Sequence, residues 1–365
     1  MSIYSLPNEV LALLPSYLDN IETFTSASSS CRLLRDNFAT ASPATILRLA
    51  AASAPTFFSP HPHFLVAATA RQASDWALGD ADRTALLHEA LRGGIWGLYD
   101  FCLAYAGLTM ADIRRLHLAR FDILNPLSDR IDKMAGAQWY ETENFWDGGV
   151  SEPYTIETEA DRAAFQIIIY GELFGGSMEA FLAAGGQRPP ATMPVHSIET
   201  RIEYIKYCVP DWVCKKGYQG FEPPLNVGPY AEEVAESLPG DQTSLYHILT
   251  CRRWRRMWAG AMMMIAGEEQ DGEIEDELTE EDWRTRLWRD ALVTQGLWGM
   301  QLVTMSEERV DKKWLEKGRW VREQILKLEG PLESRRIGEK RQIVVSLAPD
   351  PSQDVFVCMA GMWRL

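Results

Sequence analysis

The sequence predicts a mainly α-helical protein, with a small helical unit at residues 1–53, a larger irregular helical domain at residues 64–365 and a short β-hairpin at the C-terminal end. Three observations predict it. The chain has 365 residues, of which 46% are hydrophobic and 24% charged, an ordinary globular mixture with more material than one typical core needs. Its strongest apolar patterns step by three and four residues, which places them on one face of a helix. Those patterns are cut into segments by Gly and Pro, which end helices by favouring other backbone conformations or by removing an amide donor.

Residues 3 to 50 read as three short helical segments: Leu6 to Leu18, Ile21 to Cys31, and a third near Pro43 to Ala52, with Asn20 and Ser42 as punctuation. Pro55, Pro60 and Pro62 follow within Ala54 to His63. They favour extended or turn conformations, so the first domain boundary is expected there. From Phe64 to about Leu124 the pattern continues as several short helices, broken near Gly79, at Gly93 and Gly94, and near Gly107. The stretch Gln138 to Glu152 gathers Trp139, Tyr140, Phe145 and Trp146 ahead of Asp147, Gly148 and Gly149, and reads as an aromatic-rich recognition or packing loop.

A strong helical signal runs through Ala160, Ala164, Ile167, Gly171, Phe174, Met178 and Phe181, which share one face. Ile168, Ile169 and Leu173 widen that face, so a central packing helix is expected, ended by Gly185 and Gly186. Between Arg188 and Pro239 prolines recur and leave a helix near Ile198 to Cys208. Helical periodicity resumes from Leu245 to Ala266, gives way to the acidic run Glu268 to Glu277, and returns from Trp283 to Leu302. Thr279 and Asp282 resemble a capping box at that restart. Ile343 to Leu347 and Val355 to Met359, separated by Pro349, Asp350 and Pro351, are the two strands of the expected hairpin. No sustained repeat of the solenoid or propeller kind is present.

Composition narrows the function. A formal charge of -15, from 36 basic and 51 acidic residues, opposes general attraction to nucleic acid or anionic lipid. The cysteines Cys31, Cys102, Cys208, Cys214, Cys251 and Cys358 are scattered without dense disulfide spacing, which points to a reducing compartment, cytoplasmic or nuclear. The N-terminus lacks the basic region of a secretory signal, and the apolar stretch Met257 to Ala266 is too short to span a bilayer, so neither secretion nor a membrane segment is expected.

Leu6-Pro7-Asn8-Glu9-Val10-Leu11, continued by Leu14, Tyr17 and Leu18, resembles the opening of an F-box, in which Leu-Pro-x-Glu begins an apolar helix ending near Tyr-Leu. Ile21, Phe24 and Ala27 carry an apolar face into Cys31-Arg32-Leu33-Leu34-Arg35, which is similar to the family's cysteine-basic closing segment. The resemblance covers about the first 40 to 50 residues. The sequence departs from the family pattern at Pro15, inside the expected first helix, at Ser30, where an apolar residue is usual, and at Leu33 and Leu34, where an aromatic is common. The resemblance implies binding to a Skp-type adaptor of a cullin ubiquitin ligase through Leu6, Pro7, Val10, Leu14, Leu18 and Cys31. It also implies that specificity for a protein substrate resides after about residue 64. So small a unit cannot bury all its apolar faces alone: a partner helix could cover the remainder, in a ligase receptor or in an adaptor-bound protein that is not a receptor, or the unit is a helical cap packed on the following domain with no adaptor.

Other candidate chemistry is weaker. Arg252, Arg253, Arg255 and Arg256 alternate with Trp254 and Trp258, a mixture able to contact phosphate and stack on bases, but a helix whose aromatics enter the core explains the same residues. Glu141, Glu143 and Asp147 lie among the aromatics of the loop, as in a sugar-binding cleft, without any sequence feature that fixes an acid and base pair. His61, His63, His88, His117, His196 and His247 match no ligand pattern, and Cys208 and Cys214 lack a second ligand pair. No phosphate-binding loop, dinucleotide fingerprint or nucleophile elbow is found, so neither a catalytic residue nor a metal or cofactor is expected.

Overall fold

The computed structural model describes residues 5–130, 160–187, 194–208, 252–267, 283–329, 355–358 and 361–364. Its described elements are almost all helices. The chain divides into two compact units, Met1–Phe121 and Asp122–Leu365.

The first unit opens with α1 (Asn8–Leu13), which runs into a 3-10 turn at Leu14–Tyr17. Pro7 is the N-cap of α1, at φ -61° and ψ 149°, and its carbonyl accepts from the amides of Val10 and Leu11 at 3.1 Å. Glu9 stands in the first turn, near the positive end of the peptide dipoles. The single segment expected from Leu6 to Leu18 is thus two short pieces. Pro15 explains the division: it sits in the first turn of the 3-10 segment, where a missing amide proton has no partner to lose.

Asn20 and Ser42 are both helix caps, as their positions between segments suggest. Asn20 Oδ1 accepts from the Thr23 amide at 2.8 Å and starts α2 (Ile21–Ser30); Ser42 Oγ accepts from the Thr45 amide at 3.2 Å and starts α4 (Pro43–Ala52). Cys31, extended at φ -156°, ends α2 and begins α3 (Arg32–Phe38). The α2–α3 corner closes on a buried ring pair, Phe24 stacked on Phe38 with centroids 5.0 Å apart. Leu11, fully buried, anchors α1, which packs on α3.

After α5 (Ala54–Phe57) come α6 (His63–Ala77), α7 (Ala81–Arg92), α8 (Gly94–Tyr105) and α9 (Met110–Ala119), separated near the expected glycines. Helices α6, α7 and α8 pack together, and α4 lies against both α2 and α8. The expected boundary at Ala54 to His63 therefore runs through a compact unit that continues to Phe121. Its prolines shape a turn in which Phe58 is buried edge-on against Phe64, centroids 5.6 Å apart. The α7–α8 approach is close enough that a Cβ on Gly97 would stand 2.3 Å from the Ala90 carbonyl oxygen.

The second unit is built on α10 (Ala160–Ala183). Ala164, Ile167, Phe174, Met178 and Phe181 of the expected face are buried, and so are Ile168, Ile169 and Leu173, leaving this helix enclosed nearly all round. It ends at Gly185 and Gly186, with φ of 66° and 83°, where the Gly186 amide donates to the Phe181 carbonyl at 3.0 Å. Then follow α11 (Ile198–Cys208), α12 (Arg252–Ala266), α13 (Trp283–Val293), α14 (Gly296–Gly299), α15 (Gln301–Thr304) and α16 (Lys312–Lys327). The helix expected from Trp283 to Leu302 is three pieces, because the chain turns at Gly296 with φ 74° and the buried Glu172 carboxylate accepts from the Leu297 amide at 2.7 Å. One core joins Met178, Phe181 and Leu182 of α10 to Leu287 and Ala291 of α13 and to Val321 and Ile325 of α16.

The expected terminal hairpin is not shown. Its first run, Ile343 to Leu347, lies outside the described residues; among the described residues β1 (Val355–Cys358) pairs with β2 (Gly361–Arg364), antiparallel, with Cys358 opposite Gly361. The capping box at Thr279 and the acidic run from Glu268 also lie outside the described residues. No described helix is long and apolar enough to cross a membrane.

Candidate interaction site

A helix of two turns packed on one neighbour has an inner and an outer side, and α1 with its 3-10 extension shows both. Leu11 and Pro15 are buried on the inner side. On the outer side Val10 is 42% exposed, Leu13 56% and Tyr17 79%, and Pro7 is exposed beside them. Leu6, Leu14 and Leu18 are half-buried at the margins of this ridge. Of the six residues assigned by resemblance, Leu6, Pro7, Val10, Leu14 and Leu18 thus lie on α1 and its flanks, while Cys31 sits half-buried at the α2–α3 corner.

Leu13 and Tyr17 are the most exposed apolar residues of the ridge, and neither was among those six. The signal for them was present: Val10, Leu13 and Tyr17 step by three and four, a second apolar stripe beside the one that contains Leu11. Scattered apolar exposure is normal, whereas here three apolar residues stand in a row along one short stretch of chain.

The ridge is held from behind by α4. The Nη2 of Arg48 donates to the carbonyls of Pro15, Ser16 and Leu18 at 3.2, 3.2 and 3.1 Å, meeting the carbonyl end of the 3-10 turn. Asn37 Nδ2 also reaches Asn8 Oδ1 at 3.4 Å, linking α3 to the start of α1. Ser30, a departure from the family pattern, is exposed and donates to the Ala27 carbonyl at 2.7 Å, so no buried hydroxyl results.

The remaining candidates separate from this surface. Trp139, Tyr140, Phe145 and Trp146, with Glu141, Glu143 and Asp147, lie outside the described residues. Trp258 in α12 is fully buried, which commits one aromatic of the Arg-Trp alternation to the core; the side chains of residues 252–257 are outside the described set. His61 lies edge-on to Trp96 and Tyr99, with centroids 5.0 Å away in each case, and burial lowers its pKa. Cys102 is buried in α8, and desolvation pushes its thiol up to about 12 against a lowering hydrogen bond with Thr69, so it stays protonated. In the second unit Arg201 donates to the Tyr170 hydroxyl, and the Tyr204 hydroxyl, its pKa raised by burial, donates to the Gln166 carbonyl at 2.8 Å. Both bonds are buried inside the second unit. Among the described residues no group of three or more His, Cys, Asp or Glu side chains is placed to hold a metal ion.

No family model, no curated protein and no solved structure matches the chain.

Proposed function

We propose that the N-terminal unit binds a Skp-type adaptor through the outer face of α1, and that the chain acts as a substrate-recognition subunit of a cullin ubiquitin ligase. The observation that carries this reading is the coincidence of the F-box-like Leu6-Pro7-Asn8-Glu9-Val10-Leu11 string with an exposed apolar ridge at Pro7, Val10, Leu13 and Tyr17. Covering such side chains is favourable by up to about 1.5–3 kcal/mol for each one that passes from full exposure to full burial. Val10, Leu13 and Tyr17, all partly exposed, supply the centre of that interface.

In this role the chain contributes no catalytic group. A receptor raises the concentration of its substrate beside the transfer machinery, so its chemistry is that of two binding surfaces on one chain. The substrate surface belongs to the residues after about 64, and a cytoplasmic or nuclear location follows from the partners. Purification of the tagged full chain from cells tests the reading. Recovery of the adaptor together with a cullin is expected, and recovery of the adaptor without a cullin would remove the ligase role.

A further inference from the structure

A second surface of the first unit is an open groove of about 1050 Å³ between α2, the end of α3, Phe57 and Phe58 at the end of α5, and α9. No α1 residue lines it. Its floor is apolar: Phe24, Phe38 and Phe58 present edges of the core there, and Ile113 and the 59% exposed Leu118 form the α9 wall. Phe57, 43% exposed, also lines the groove.

The charge of this groove runs against that of the protein. The first unit holds several arginines near carboxylates, and Arg32, Arg83 and Arg115 pair with Asp36, Asp80 and Asp112. Arg35 and Arg114, which line the groove, make no side-chain ion pair or hydrogen bond among the described residues. His117 lies beside Arg114 one turn along α9, and Glu22 is the one carboxylate of the lining. An apolar floor with unpaired guanidinium groups at its margins, in a chain of net charge -15, is complementary to an apolar stripe flanked by carboxylates. Two turns of α-helix, about 11 Å long and about 10 Å across, occupy roughly 850 Å³, a volume comparable with that of the groove.

We infer that this groove docks an acidic amphipathic helix of a partner protein, whose apolar residues at i, i+3 or i+4, and i+7 enter between α2 and α9 while its carboxylates meet Arg35 and Arg114. The mode is that of a helix laid in a groove, with the apolar anchors supplying affinity and the charges selecting orientation and partner. The inference is independent of adaptor binding, because the two surfaces share no residue.

A peptide display library tests it. Its members carry a fixed helical apolar stripe, with Glu, Lys and Gln randomised at the flanking positions, and the bait is the full chain. Enriched peptides are expected to be acidic, and to lose roughly tenfold or more in affinity on Arg35→Glu with Arg114→Glu, and again on Leu118→Asp. They should bind a Leu6→Asp, Val10→Asp chain unchanged, and the charge-reversed chain should select Lys-bearing peptides from the same library. All substituted positions are exposed or half-buried, and circular dichroism checks that each variant is folded. Absence of enrichment, selection of neutral or basic peptides by the unaltered chain, or binding indifferent to these substitutions would overturn the inference. So would displacement of the peptides by anionic vesicles or an oligonucleotide, or a dimer in light scattering that Leu118→Asp makes monomeric, since each assigns the groove another occupant.

Discussion

Arg48 reaches 33 residues back along the chain to Pro15, its Nη2 lying 3.2 Å from the Pro15 carbonyl and within the same distance of the Ser16 carbonyl. The α1 helix ends early, and in the turn that follows the Pro15 carbonyl accepts from the Leu18 amide only at 3.4 Å. A guanidinium from α4 adds a donor to the Pro15, Ser16 and Leu18 carbonyls, and this fixes the course of the ridge that ends at Tyr17. Arg48→Ala should therefore cost about 1.5 kcal/mol in the unfolding free energy of the first unit, the lower end of the range for hydrogen bonds to a charged group, since Arg48 is exposed. Arg48→Lys, with a point charge in place of a fork, should recover part of it. Urea denaturation checks both; an unchanged midpoint for Arg48→Ala would mean that the turn holds without it.

The first unit should behave as one folding body. Residues 1–53 alone lose the α8 surface against which α4 packs, and with it part of the cover of a helix whose Ile46, Leu47, Leu49 and Ala50 are buried. A fragment Met1–Phe121 is expected to be helical with a cooperative melt, and a fragment of residues 1–53 to be largely unfolded. Equal cooperativity in the short fragment, read by circular dichroism, would restore the boundary at Ala54 to His63.

Thiol chemistry reads the two cysteines of the first unit separately. Cys31 is half-buried at the α2–α3 corner, while Cys102 is fully enclosed with its thiol held protonated. Peptide-resolved alkylation of the native chain should label Cys31 and spare Cys102 until denaturant is added. Early labelling of Cys102 would mean that α8 opens readily.

A pH effect follows from His61. Burial lowers its pKa from the ordinary 6.5, so the folded state favours the neutral ring against Trp96 and Tyr99. The unfolded chain binds the proton more readily, so stability from this residue is full above pH 6.5 and declines as pH falls from there through the folded pKa. His61→Phe should flatten that part of the profile of melting temperature against pH. An identical slope in both proteins would assign the effect elsewhere.

How far the sequence disclosed these features depends on what each one rests on. The α10 helix was legible because burial on every side follows from a long run of apolar residues with helical spacing, and Gly185 and Gly186 mark its end. Asn20 and Ser42 were legible because capping is local chemistry. Near Pro55 to Pro62 the sequence is ambiguous, because prolines restrict a linker and a buried turn alike, and the packing of α4 on α8 is not a local feature. Helix α16 went unassigned although Leu315, Val321 and Ile325 are buried, since charged residues fill the positions between them. At the site, Leu6, Pro7 and Val10 could be named from a motif, but which of the adjacent Val10 and Leu11 faces outward depends on α3, far along the chain. The groove joins α2 to α9, elements some 85 residues apart, and no local pattern announces it.

The most direct measurement is the affinity of the purified full chain for a purified Skp-type adaptor, by isothermal titration calorimetry, beside a variant carrying Leu6→Asp and Val10→Asp. Both positions are at least partly exposed, so the variant should keep its helical content. Desolvating two unpaired carboxylates at the contact costs several kcal/mol, which predicts a loss of roughly a hundredfold or more in affinity. Equal adaptor affinity in the folded variant, or no binding by the unaltered chain, would contradict the assignment of the α1 face as an adaptor surface.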